Sequence, residues 1–163
     1  MIILGLDPGT ATTGFGVINF EGSELQLLDY GCITTPKTLR LPERLHQITT
    51  DLEEIVNTWK PNVIGIEEIF FSKNVKTAMS VAHSRGALMQ KLSSQGYQIY
   101  EYKPQQIKEA VCGYGKAEKI QVQKMVQLIL KMDQLPRPDD AADALAVAIC
   151  HSNNAKYQHL IYT

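Results

Sequence analysis

"MIILGLDPGTATTGFGVINF", Met1 to Phe20, is the stretch on which the fold turns. "IILGL" is a short apolar run of strand length, not helix length. "DPGT" supplies aspartate, proline and glycine, the residues of a turn. "TGFGVINF" is apolar again, so the segment reads as strand, turn, strand. "EGSE", Glu21 to Glu24, is a second turn, and "LQLLDYGCITT", from Leu25 to Thr35, is a third strand. Strands joined by turns this short form an antiparallel meander.

Downstream the period changes from two to 3.6. Leu45, Ile48, Leu52, Ile55, Val56 and Trp59 make a helical stripe from about Pro42 to Trp59, ended by Pro61. "NVIGIE" is a compact apolar strand of the kind found inside a sheet, parallel to a neighbour. A helix follows over Val75 to Ser94, then the strand "QIYEY". Three more helices follow, from Pro104 to Gly113, from about Ala117 to Met132, and from Asp139 or Asp140 to about His151. Pro104 suits a first helical turn. The order β-β-β-α-β-α-β-α-α-α predicts an α/β fold with one mixed five-stranded sheet, an antiparallel meander plus two parallel strands, flanked by helices. Residues 1–153 are expected to form one domain, and residues 154–163 a short frayed tail.

Composition sets bounds. The chain has 163 residues, 44% hydrophobic and 20% charged, enough for a proper core and unlike a disordered segment. No charged leader precedes an apolar stretch, and no run approaches 18 apolar residues, so neither a signal peptide nor a membrane span is expected. Cys32, Cys112 and Cys150 are odd in number and lack metal-type spacing, which fits a reducing cytoplasm.

The aspartates of "RPDDAADALA", Arg137 to Ala146, are the chemical puzzle. Like charges three or four apart on a helix repel. An N-terminal cap accounts for Asp139 or Asp140 but not for Asp143, one turn further in among alanines. Asp7 and Glu67 each close an apolar strand, "IILGLD" and "VIGIE". If those strands are parallel neighbours, their carboxyl ends lie together, where ligands of such sheets bind. Asp140 and Asp143 share a helix face, so distant segments would bring four carboxylates to one place. Asp139 reads as the cap and Asp140 as the ligand, with the register open by one residue. Crowded carboxylates repel unless a cation joins them. Oxygen-only ligands favour Mg²⁺ or Mn²⁺ over Zn²⁺. Two such ions about 4 Å apart can activate water and stabilise a leaving oxygen in phosphodiester hydrolysis.

The net charge of −1 conceals a segregation. No acid lies between Glu68 and Glu101, a window that holds Lys73, Lys76, Arg85 and Lys91. Five lysines fall between Lys103 and Lys124, against Glu109 and Glu118. Separate basic and acidic regions can hold a polyanion and cations side by side. On the helix "TAMSVAHSRGALMQKL", Met79, Ala82, Gly86 and Met89 form a stripe of small and flexible residues, open to two readings: internal packing or a two-fold dimer interface.

"GLDPGTATTGFGVI", "IGIEEIFFSKN", "SRGAL", "GYGKAEKIQVQKMV" and "DDAADALAVAICH" resemble, in order and spacing, the RuvC family of Holliday junction resolvases, over Met1 to His151. The resemblance implies a ribonuclease-H-like fold and a homodimeric, Mg²⁺-dependent endonuclease that nicks opposed strands of a four-way DNA junction, alongside a branch-migration helicase. By motif it assigns metal binding to Asp7, Glu67, Asp140 and Asp143. Glu67 takes precedence over Glu68 because the motif aligns the first acid after the strand. It places Lys108 and Lys119 near the scissile phosphate, with Lys116 as an addition. It sets Phe70 against bases at the junction, a role that Phe71 could share or take. Phosphate contacts of this kind supply affinity and salt sensitivity, not sequence choice.

Three rival readings remain on the residues. One keeps the fold but acts on RNA or another DNA structure. A second, an actin-like ATPase or sugar kinase, shares the look of "GLDPGTATTG" but needs two such domains and a second glycine-rich turn. The third, a non-catalytic DNA-binding module, is ill served by four carboxylates that repel phosphate.

Overall fold

A computed structural model of the chain describes residues 1–69 and 75–161. Ten elements follow in the order expected: β1 Ile2–Asp7, β2 Thr12–Glu21, β3 Glu24–Thr34, α1 Leu41–Trp59, β4 Val63–Glu67, α2 Val75–Ser94, β5 Ile99–Tyr102, α3 Pro104–Cys112, α4 Lys119–Ile129 and α5 Asp139–Ile161. The sheet order is β3-β2-β1-β4-β5. The first three strands are antiparallel, and β4 and β5 add in parallel beside β1.

Alternation along the strands sorts the side chains between two cores. Leu4, Leu6, Ile64 and Ile66 point to one face, where Ile48, Leu52 and Val56 of α1 and Leu88 and Leu92 of α2 cover them. Ile3 and Val63 point to the other, against Leu145 to Cys150 of α5 and Ile107, Val122 and Val126 of α3 and α4. Gly5 and Gly65 continue this second row beneath α5. Asp7 and Glu67, two residues further on each strand, therefore lie on the α5 side of the sheet.

Helix α5 is buried over most of its middle, which explains the alanine-rich run: Ala141, Ala142, Ala144, Ala146 and Ala148 are all 0% exposed. It sits unusually low because the strands beneath it carry glycine. A Cβ built on Gly14 would lie 1.9 Å from the Asp140 carbonyl oxygen, and one on Gly5 would lie 2.1 Å from that of Ala144.

Helix boundaries depart from expectation in three places, the first being that α4 ends at Ile129 and not at Met132. Helix α4 opens at Lys119, not near Ala117, because Glu118 is its cap residue; the Gln121 side chain accepts a 2.7 Å hydrogen bond from the Glu118 backbone N–H, half of a capping box. Helix α5 runs on to Ile161 instead of stopping near His151. No proline or glycine interrupts the sequence after Pro138. The Asn153 side chain donates to the Ala110 carbonyl at 3.0 Å, and Ala155 packs on the core, so the extension is tied down. Among the described residues no helix is long and apolar enough to cross a membrane.

Candidate active site

The site begins with strand register. In the parallel β1–β4 pair, Leu6 lies beside Ile66, so Asp7 and Glu67 follow as neighbours at the carboxyl ends. In the antiparallel pair Asp7 lies opposite Gly14, and Gly14 is where the Asp140 backbone rests on the sheet. One glycine thus brings the start of α5 against the end of β1. Asp143 follows a turn later on the same helix side as Asp140.

The charges of Glu67, Asp143 and Asp140 all reach Asp7. Burial, then the charges of Glu67 and Asp143, raise the Asp7 pKa well above the ordinary carboxylate range, with a smaller contribution from Asp140. Asp7 and Glu67 share a hydrogen bond that favours the proton on Asp7 and the charge on Glu67. Burial also raises Glu67 and Asp143, while Lys108 and Lys119 act to lower Glu67 and Lys119 acts to lower Asp143. The Lys119 ammonium lies 3.1 Å from an Asp143 oxygen and 3.6 Å from one of Asp139. Glu67, Lys108, Lys119 and Asp143 line a cleft of about 270 Å³, walled by Pro104, Ile107, Val122 and Ala146. A larger groove of about 770 Å³ lies at the β2–β3 hairpin end of the sheet, away from every one of these acids.

Two of the sequence expectations shift here. Asp139 is not the cap residue: α5 begins at Asp139, so Pro138 holds the cap position. The Asp139 carboxylate instead faces α4, accepting from the Gln123 amide at 2.8 Å, with Arg137 at 3.7 Å. The Met79–Met89 stripe also divides. Met79 is 53% exposed and Gly86 faces open space, but Ala82 is half-buried and Met89 packs on the core beside Leu88 and Leu92. A 3.6-residue period turns the end of that stripe inward.

Lys116 is exposed in the α3–α4 loop, outside the lining of the cleft. Phe70, Phe71 and Lys73 lie outside the described residues, and the Lys76 side chain does too. Gln123 was missed by sequence reasoning. It is 4% exposed. The available signal was a polar residue beside the apolar Val122 and Val126 in α4, since a buried amide needs a partner. His151 is buried, its ring hydrogen-bonded to the Tyr102 hydroxyl at 2.7 Å.

The donor set fits a divalent cation. It is all oxygen, it is partly buried, and it holds more negative charge than the flanking lysines offset. Among the described residues no three such donors close around one point as they stand, and Asp143 is paired with Lys119.

A mixed sheet of this order, carrying carboxylates at the ends of β1 and β4 and on a helix laid over them, defines a nuclease of the ribonuclease-H-like class. The family profile described as crossover junction endodeoxyribonuclease RuvC matches residues 3–151. Proteins of that name from Alkaliphilus oremlandii and Ruminiclostridium cellulolyticum are each 48% identical, covering 98% and 99% of this chain and 98% and 97% of theirs. The structure of Thermus thermophilus RuvC superposes with a TM-score of 0.89 at 33% identity, covering 97% of both chains. The same protein in complex with a Holliday junction substrate gives a TM-score of 0.91, covering 97% of this chain and 96% of that one. The chain belongs to the RuvC family.

Proposed function

We propose that this chain resolves four-way DNA junctions by paired, symmetric hydrolytic nicks, acting as a two-fold homodimer in the cytoplasm. The observation that carries the reading is the meeting of Asp7, Glu67, Asp140 and Asp143 beside a cleft lined by Lys108 and Lys119. Metal dependence goes with the family; Mg²⁺, with Mn²⁺ as substitute, is our choice for the ion, and the four acids are the residues that would hold it. Bound there, a pair of such ions supplies an activated water and stabilises the leaving oxygen.

The protein's own part is to receive and orient the strand. Lys108 and Lys119 bind the phosphate next to the acids, offsetting charge that would otherwise repel DNA. Lys119 exchanges Asp143 for a phosphate oxygen. Phe70 or Phe71, three and four residues after Glu67, stacks on an unpaired base at the crossover, worth about 1–3 kcal/mol. Lys73 and Lys76 add positive charge to the same stretch of sequence. The second active site comes from the second subunit, through the open part of α2 around Met79 and Gly86. Three free cysteines agree with a reducing compartment, and a branch-migration helicase is the expected partner.

The test is cleavage of end-labelled four-way, three-way and linear DNA and an RNA–DNA hybrid, with Mg²⁺. The expected result is two symmetric, ligatable nicks in the four-way junction alone. Equal cleavage of linear duplex or hybrid would overturn the reading. Asp7→Asn, Glu67→Gln, Asp140→Asn and Asp143→Asn should each lose cleavage while still binding junction, and Glu68→Gln should retain it.

A further inference from the structure

Two adjacent aspartates open α5, and the geometry gives them different tasks. Successive helix residues point about 100° apart. The Asp140 backbone rests on Gly14 and its charge acts on Asp7. Asp139 looks the other way, to α4. There Lys119 and Gln123, four residues apart, present their side chains to the same side. The Gln123 amide is almost fully buried, and its Nε2 donates to one Asp139 oxygen at 2.8 Å. The opposite amide orientation would set an oxygen against a carboxylate. The other Asp139 oxygen lies 3.6 Å from the Lys119 ammonium, which also touches Asp143 at 3.1 Å.

We propose that Asp139, held in orientation by Gln123, is a positioning residue for Lys119. Lys119 has two carboxylate partners, and one of them, Asp143, belongs to the set that would hold a cation. When Asp143 turns to that task, Lys119 keeps Asp139 as its ion-pair partner. The Gln123 bond fixes one Asp139 oxygen and leaves the other aimed at the ammonium. A flexible four-carbon side chain is thereby kept at the mouth of the cleft, where the phosphate arrives. Asp139 touches neither substrate nor ion in this scheme. The inference rests on the reading of Lys119 as a phosphate contact.

The bland alternative is that the Gln123–Asp139 bond merely ties α4 to the start of α5. Asp139→Asn separates the two, since asparagine still accepts from Gln123 but carries no charge toward Lys119. The first measurement is ¹⁵N relaxation of the Lys119 ammonium in the metal-free protein carrying Asp143→Asn, which removes the competing carboxylate. Its order parameter should fall in Asp139→Asn and in Gln123→Leu, while Asp139→Glu restores it in part. The second is steady-state junction cleavage. In Asp139→Asn, kcat should fall roughly two- to fivefold, the scale of one half-exposed ion pair, with KM little changed and melting temperature as in the wild type. A Lys119 as ordered as with Asp139 in place, with unchanged kcat, would overturn the positioning role and leave the tie between helices. Lys119→Ala separates this failure from that of the underlying reading: if it cleaves at the wild-type rate, Lys119 is no phosphate contact and the proposal falls with it.

Discussion

Replacing Gly14 by alanine should cost both the fold and the chemistry, and the structure gives the size of each. The new Cβ would stand 1.9 Å from the Asp140 carbonyl oxygen and 2.4 Å from its carbonyl carbon. Contacts under 3.0 Å are essentially never seen, so α5 must lift by about 1.1 Å at its first turn. The obstacle is backbone, which no rotamer change removes. Overpacking of this kind costs up to about 3 kcal/mol, or roughly 6–12 °C in melting temperature for a chain of this length. The lift falls where Asp140 must stand opposite Asp7, and a misplacement near 1 Å costs on the order of a hundredfold in rate. Gly31→Ala is the control, because its Cβ meets only the Phe15 ring, at 3.0 Å, and a ring can turn. Urea and thermal unfolding give the first quantity, and junction cleavage under single-turnover conditions the second. Junction binding, carried by the lysines, should change little. A Gly14→Ala protein with wild-type melting and cleavage would refute the seat of α5. One that is less stable yet cleaves normally would show that Asp140 is placed by something else.

Asp7→Asn should stabilise the metal-free protein while it abolishes cleavage. Burial and Glu67 raise the Asp7 pKa, so the native state binds that proton more tightly than the unfolded chain. Stability therefore falls as pH rises from about 4 through the raised native value. The substitution removes that loss: melting in EDTA should be higher than wild type at neutral pH, with the gap closing toward pH 4, and a gap that widens on acidification would contradict the assignment. Gly86→Glu should give folded monomers that no longer couple the two nicks. Its Cβ meets nothing within 4 Å in the subunit, and leaving glycine favours a helix by up to about 1 kcal/mol; sedimentation at assay concentration shows whether the dimer is lost. Phe70→Ala should impair junction cleavage without altering its salt dependence, whereas Lys108→Ala should change both. If Phe71→Ala is the damaged variant, the stacking role moves to Phe71.

The parts of this protein legible in its sequence are those governed by local periodicity. The short apolar runs of "IILGLD" and "VIGIE" already placed Asp7 and Glu67 at strand ends, and the parallel pairing of β1 with β4 needed only that both runs be apolar throughout. What stayed hidden depends on contacts between distant segments. The glycines of "TGFGV" read as part of a strand, because nothing near them in the chain shows that a helix will lie on them. Asp139 read as a cap because an acid at a helix start is favourable on local grounds alone. Its actual partner, Gln123, comes from another helix, and only burial of that amide makes the bond compulsory. The same contrast explains the arrangement of charge. Burying acids near one another opposes folding, as the raised Asp7, Glu67 and Asp143 show. A site of that kind needs a rigid frame, and it has one in a buried alanine helix seated on glycine. The lysine that answers the acids stands half-exposed at the first residue of α4, paired with Asp139 and Asp143, and on the proposed reading that exposure gives it the freedom to move from carboxylate to phosphate.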